Sequence, residues 1–452
     1  MNAGRGFALT GLVLWLSACA SGPETRKDSK LTGPEAGPAT AVSASPKAGG
    51  DAKADDAKTK PELAPVAKSL AGPERDFTRA VEVARRGELT IAETALKTLL
   101  ERSPKLGPAW TNLGIVQERQ GRFPDAERSY RQALALEPDQ EAAWDCLVRL
   151  SARTGRAASL EAELREALAK QDSVARRTAL ALNLLLQKKH PAAVAEARRV
   201  LQVREQHVPA MQVLAQVYAR EGKYELASMV LGNALAIDAE DAATLNALGL
   251  VHLGLKERPQ ALERFRQAIA LRPDFAEARN NLGTLLNEGE DYAGARGELE
   301  AAVRAAPDFA AAHLNLGNAY RGEGDFPRAL AEYERVLQLQ PDTKDAYFNL
   351  GLLHLDLEPA GMDTLERLQK AASFLQQYQA KGGTDERTAQ YLKDAQKGID
   401  RETRRRERER KEGLKKPAEA TKAPEANPTP APPPGPPAPR PGASGKVSQD
   451  VR

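Results

Sequence analysis

The sequence predicts an all-α solenoid of about nine stacked helical hairpins, and three observations carry that reading. Gly249, Gly283, Gly317 and Gly351 stand 34 residues apart, as do Ala261, Ala295 and Ala329, and Pro273, Pro307 and Pro341. Upstream, Pro104 and Pro138 keep the same spacing. Three residue types locked to one period mark a structural repeat of that length. The composition is rich in Ala, Leu, Arg and Glu and only 5% aromatic, which favours helix over sheet. Finally, 452 residues are too many for one compact core and too regular for several unrelated ones.

The clearest early copy reads Trp110, Leu113, Gly114, Ala126, Tyr130, Ala133 and Pro138. Later copies read Leu248-Gly249, Ala261, Phe265, Ala268 and Pro273, then Leu316-Gly317, Tyr320, Ala329, Tyr333 and Pro341. This pattern resembles the tetratricopeptide repeat family over about 300 residues. The resemblance implies a right-handed superhelical solenoid of helix-turn-helix units whose first helices line the concave surface. Gly114 and Ala126 are expected where the two helices cross, and Tyr130 or Phe265 against the neighbouring unit. Gly121 or Gly322-Glu323-Gly324 makes the turn, and the Pro ends the second helix because it cannot continue the hydrogen-bond ladder. No unit buries its apolar face alone, so stability comes from stacking.

The units register as 73–106, 107–140, 141–173, 174–207, 208–241, 242–275, 276–309, 310–343 and an irregular ninth from 344. Units three and four keep Trp144 and Leu147 but lose the Gly and the closing Pro, which reads as either a bend or drift. The ninth unit carries an insertion over 357–363, then a helix over about 364–380. A capping helix follows from near Asp385, with Ala389, Leu392, Ala395 and Ile399 on one face. Residues 401–412 are densely charged and read as a solvated helix laced by i,i+4 ion pairs.

The ends are different in kind. Residues 1–18 begin with Arg5 and continue as a short apolar run from Phe7 to Ala18, well under the roughly 20 residues that span a bilayer. That is the pattern of a signal peptide. Leu16-Ser17-Ala18-Cys19 resembles the lipobox of bacterial lipoproteins, which implies cleavage before Cys19 and a covalent lipid on its thiol. Two or more acyl chains make such an anchor stable. By that family's sorting habit, Ala20 rather than Asp implies the outer membrane, and the expected location is its periplasmic side. Residues 19–72 read as a lipidated, disordered tether, because Ala, Lys, Gly, Pro, Asp and Ser bury too little surface to order themselves. The repeats occupy 73–380, the capping and charged helix 384–414, and a Pro/Ala-rich disordered tail 415–452.

Chemistry is not indicated. The net charge of +3 gives no support for nucleic-acid binding. The two cysteines, Cys19 and Cys146, rule out a disulfide scaffold. His190, His207, His252, His313 and His354 show no metal spacing, and His252 and His354 share a repeat position with Tyr218 and Tyr320. No G-x-S-x-G or phosphate loop is present. The expectation is therefore no enzyme, no catalytic residue, no metal, and no cofactor beyond the lipid on Cys19.

The candidate site is a row of asparagines. Asn112, Asn281, Asn315 and Asn349 each precede a Leu-Gly pair, at one fixed position of the repeat. A primary amide both donates and accepts, so it can pair with a peptide backbone of any sequence. The row is similar to the asparagine ladder in the tetratricopeptide domain of the enzyme that attaches N-acetylglucosamine to Ser and Thr. That likeness implies an extended peptide held on the concave face. Asn280, Asn287, Asn318 and Arg321 lie within a turn and are expected to add contacts. Cys146, Ala179 and Val213 interrupt the row, and Asn246 is one residue off. The expected role is an outer-membrane-anchored periplasmic scaffold in a cell-envelope machine, with envelope proteins as partners. The build is similar to that of the tetratricopeptide lipoprotein of the myxobacterial gliding-motility apparatus. The alternatives are a pilotin-like factor for a type IV pilus and an adaptor recruiting peptidoglycan or polysaccharide-export enzymes.

Overall fold

The structure, a computed structural model, describes residues 72–420, with side chains through 412. Cys19, the tether through residue 71 and the tail from 421 lie outside the described residues, whereas residue 72 and residues 415–420, expected as tether and tail, are helical. Those residues hold nineteen helices and no strand. Nine hairpins come first. They are α1 (Gly72–Arg85) with α2 (Leu89–Arg102), α3 (Gly107–Arg119) with α4 (Phe123–Leu136), and α5 (Glu141–Arg153) with α6 (Ala157–Lys170). Next come α7 (Val174–Leu186) with α8 (His190–Val203), α9 (Val208–Arg220) with α10 (Tyr224–Ile237), and α11 (Ala242–Gly254) with α12 (Arg258–Leu271). The last three are α13 (Ala276–Glu288) with α14 (Tyr292–Ala305), α15 (Ala310–Gly322) with α16 (Phe326–Leu339), and α17 (Lys344–Asp356) with α18 (Thr364–Ala380). Helix α19 (Thr388–Ala420) follows.

Within a hairpin the two helices cross at glycine. A Cβ on Gly114 would lie 2.5 Å from the Tyr130 ring, on Gly317 2.5 Å from Tyr333, and on Gly249 2.4 Å from Phe265. Each aromatic ring thus rests on the glycine of its own unit, and Tyr130 also reaches Cys146 of the neighbouring unit, as expected. All three rings are fully buried. Contacts between units also use a second glycine: a Cβ on Gly322 of α15 would meet Tyr292 of α14 at 2.3 Å.

The turn between the helices places one residue in the left-handed region. Gly87, Gly121, Gly155, Gly222 and Gly324 hold it with φ of 83°, 76°, 72°, 75° and 80°. In units 4, 6 and 7 the same place is taken by Lys188, Lys256 and Glu290, at 61°, 65° and 60°. A side chain there is strained, because its Cβ crowds the following carbonyl oxygen.

Two devices seat each first helix on the preceding unit. Where the preceding unit closes with Pro, the fourth residue of the next unit donates to that proline's carbonyl. Trp110 Nε1 reaches Pro104 O at 2.9 Å, Trp144 Nε1 reaches Pro138 O at 2.8 Å, and Arg279 Nε reaches Pro273 O at 2.7 Å. Tyr347 Oη donates to Pro341 O at 3.0 Å, and His313 Nε2 contacts Pro307 O at 3.0 Å. Where the Pro is missing, before units 4, 5 and 6, a side chain caps the helix. Ser173 accepts from Arg176 N, His207 from Ala210 N, and Asp241 from Ala243 N and Thr244 N. A capping side chain satisfies helix N–H groups that otherwise have no partner. The degenerate joints are thus held by another mechanism.

First helices of neighbouring units touch along most of the array, and second helices do so far less. The array therefore curves with the first-helix face inside. The curvature brings distant units together. Arg119, at the end of α3, donates through Nε to Ala305 O at 2.7 Å and through Nη1 to Ala84 O at 2.9 Å. Arg153, at the end of α5, bonds Asp308.

The ninth unit is locked by Arg367, whose guanidinium donates to His354 O and Glu358 Oε1, both at 2.6 Å, and so pins the start of the insertion. His354 packs edge-on against Phe326 at 5.1 Å and stacks on Phe374 at 5.6 Å. Burial holds its imidazole down to about 4, so it is neutral at ordinary pH. On α19, Thr388 and Ala395 are buried and Leu392 is half-buried, but Ala389 is exposed. Ile399 is half-buried too, so three of the four expected residues are covered at least in part. Residues 397–420 belong to a second unit, in which Glu402 pairs with Arg405 at 2.5 Å and Arg406 at 3.1 Å.

Replacing Lys256 or Glu290 with Gly relieves left-handed strain worth about 1–2 kcal/mol against a backbone-entropy loss of about 0.5–1 kcal/mol. Each substitution is expected to raise stability by roughly 0.5–1 kcal/mol in urea unfolding, whereas Gly121→Ala is expected to lower it.

Candidate peptide-binding face

The asparagines lie on first helices, but their amides are largely spent on one another. Asn281 Nδ2 donates to Asn246 Oδ1 at 2.9 Å. Asn315 Nδ2 donates to Asn280 Oδ1 at 2.9 Å and to Thr284 Oγ1 at 2.8 Å. The rule is simple: the sixth residue of one unit bonds the fifth residue of the unit before it. Asn246, one place off the row, is therefore a member of the pattern after all. Asn349 faces Leu314 at the corresponding place, so it makes no such bond, and it is half-buried.

Asn112 departs from the expectation. It is fully buried, and its Nδ2 donates to Pro108 O at 2.9 Å, inside its own helix. The fifth residue of the unit before it is Phe77, which offers no acceptor. Asn280 is also buried and acts as an acceptor for Asn315, not as a surface contact.

Further along the same helices an open cavity of about 470 Å³ remains, lined by Thr284, Asn287, Asn315, Asn318, Arg321 and Asp356 among others. Asn287 Nδ2 donates to Asn315 O at 2.9 Å, but its Oδ1 is buried with no hydrogen-bond partner. Asn318 Oδ1 accepts from the Tyr333 hydroxyl at 2.8 Å, which leaves Nδ2 as the donor on offer. Arg321 pairs with Asp356 at 2.9 Å and closes one wall. Asn287, Asn318 and Arg321 thus come together, while Asn112 lies elsewhere. Thr284 and Asp356 carry no repeat-wide signal by which sequence reasoning could have found them.

In units 3 to 5 the row is replaced by a slot of about 30 Å³, lined by Glu141, Asp145, Arg149, Ala179, Val213 and Gln216 among others. That is room for about one water molecule. Cys146 is buried, and burial pushes its thiol well above the usual range. Among the described residues no group of three or more His, Cys, Asp or Glu side chains is placed to hold a metal ion.

Models of the tetratricopeptide repeat match residues 107–140, 246–310 and 317–357. The chain carries tetratricopeptide repeats. A search of curated proteins finds no match. Among solved structures, the chain is similar to one in the APC/C hetero-tetramer Cut9-Hcn1, with 18% identity and a TM-score of 0.54. The match covers 73% of this chain and 64% of that one, so this chain spans under two thirds of that length. A tetratricopeptide repeat protein from Parabacteroides merdae matches with 17% identity and a TM-score of 0.37, over 64% of this chain and 98% of that one. YrrB, described as a TPR protein with an unusual peptide-binding site, matches with 22% identity and a TM-score of 0.31, over 40% and 95%. The first of these likenesses shows the fold.

The first-helix face of the second tetratricopeptide unit is covered by the chain itself. Thr111, Asn112, Ile115, Glu118 and Arg119 are all buried there. Burial pushes the Glu118 carboxyl up to about 7, against the lowering effect of the Tyr130 hydroxyl bond at 2.8 Å and the nearby Arg153. A carboxyl whose folded value is raised stabilises the fold while protonated. That contribution is full below the unfolded value near 4.5 and is lost as pH rises through about 7. Glu118→Gln cannot ionise and keeps an acceptor for Tyr130. Relative to the parent protein, it is expected to gain on the order of 2 kcal/mol between pH 5.5 and 8.5, read from thermal melts at the two values.

Proposed function

We propose that the protein is an outer-membrane scaffold in a cell-envelope machine, held on the periplasmic side by lipid on Cys19. It presents its tetratricopeptide array to an envelope protein and binds an extended segment of that partner along the first helices of units 7 to 9. The observation that carries this reading is the cavity there, with an unspent acceptor on Asn287 and a donor on Asn318. A peptide unit offers one N–H and one C=O, so this pair matches the main chain whatever the side chains. A buried acceptor without a partner is costly, and a ligand N–H would satisfy it. The export segment, the Cys19 box and the tether support the setting, and the likeness to the gliding-motility lipoprotein makes motility the machine to test first.

A photo-crosslinking residue in place of exposed Glu288, at the rim of this cavity, would identify the partner in living cells. Binding of that partner is then measured for Asn287→Ala with Asn318→Ala. Affinity is expected to fall about 10- to 100-fold, roughly 1.5–3 kcal/mol, with helicity unchanged. Undiminished affinity would reject the cavity as the site. Cys19→Ser is expected to move the protein from the membrane to the soluble fraction.

A further inference from the structure

Arg119 and Arg153 belong to the inner edge of units 2 and 3, yet both are engaged by their own chain 186 and 155 residues away. Arg119 is only 6% exposed. Its guanidinium bonds Ala84 O near the end of α1 and, through two nitrogens, Ala305 O at the end of α14. Carbonyls in the last turn of a helix lack partners within the helix and carry the negative end of its dipole, so a buried cation suits them. Arg153 bonds Asp308, just beyond the same helix end, and lies over the Phe123 ring at 4.5 Å. The backbone of unit 1 also closes in: a Cβ on Gly87 would sit 3.7 Å from Arg304 O. The turns inside units 1 to 3 therefore meet the turn that joins units 7 and 8. The array thus returns on itself, with units 1 to 3 resting on the joint of units 7 and 8.

The contact is buried but not fully knitted. Asp274, 7% exposed, has no hydrogen-bond partner for either carboxylate oxygen, and Arg272 has none for Nε and Nη2. Asp274, Asp308 and Glu277 all act electrostatically on Arg119. Buried polar groups left unpaired favour a state in which water reaches them. Such a contact holds by geometry and charge and is poised to open.

We propose that this contact is an intramolecular clasp, in which Arg119 and Arg153 grip Ala305 O and Asp308 and hold the array closed against an open form of larger dimensions. The clasp stands apart from the peptide-binding reading, and its test reads dimensions in solution, not affinity.

The test is small-angle scattering on the full chain, with circular dichroism to verify helix content. Arg119→Ala with Arg153→Ala is expected to shift the radius of gyration upward at unchanged helicity. Arg153→Asp alone is expected to do the same, and adding Asp308→Arg to it is expected to restore the parent value. Should removal of the buried arginine unfold the protein, Asp308→Lys, on a half-buried turn, gives the same readout. An unchanged radius of gyration in Asp308→Lys, or failure of Asp308→Arg to reverse Arg153→Asp, overturns the clasp.

Discussion

Each unit depends on how its first helix is seated on the unit before it. A lone hairpin of about 30 residues cannot bury enough surface to fold, so the joint sets both stability and geometry. The joint is a backbone problem before it is an apolar one. A chain leaving one helix and entering the next leaves carbonyls and N–H groups without partners. The proline joints satisfy a carbonyl, using whatever donor stands at the fourth place: Trp, Arg, His or Tyr. The others satisfy N–H groups, using Ser173, His207 or Asp241. Side-chain identity at the fourth place thus follows the proline, which explains why a tryptophan of the repeat pattern can become a histidine without any ligand to hold.

That logic decides what was legible in the sequence. The period was legible because Gly114, Gly249 and Gly317 are fixed by contact: an aromatic ring occupies the space of a Cβ, and no other residue fits without movement. The left-handed turn was half-legible. Glycine marks it in five units, but Lys188, Lys256 and Glu290 hold the same backbone conformation and look like ordinary surface residues. The ring of Tyr130 meets both Gly114 of its own unit and Cys146 of the next, and a repeat pattern, which gives positions along the helix, shows only one of these contacts. The return of the array onto itself left no trace. Arg119 and Arg153 are two basic residues among many, and the curvature that brings them to Ala305 and Asp308 sums small rotations at every joint.

The candidate site was read in part for the same reason. A row of identical amides at one repeat position says that the environment repeats; it does not say whether the amide faces a ligand or the next unit. In units 7 and 8 it faces the unit before, because an asparagine stands one place earlier in that unit to receive it. Asn112 shows the other limit: with Phe77 at the receiving place, the amide turns to its own helix.

The pairing also locates what is left for a ligand. Each inter-unit bond uses an Nδ2 and orders the first helix that carries it, so the amides one turn further along are held without being consumed. Asn287 is held through its own Nδ2 to Asn315 O, and Asn318 through its Oδ1 by Tyr333. One therefore offers only an acceptor and the other only a donor. Two amides fixed in opposite senses on adjacent first helices are better prepared for a peptide unit than four free ones, since free amides lose rotational freedom on binding and these have already lost it. The ladder and the binding face are thus consecutive layers of one arrangement, in which the inner bonds supply the rigidity that the outer groups use.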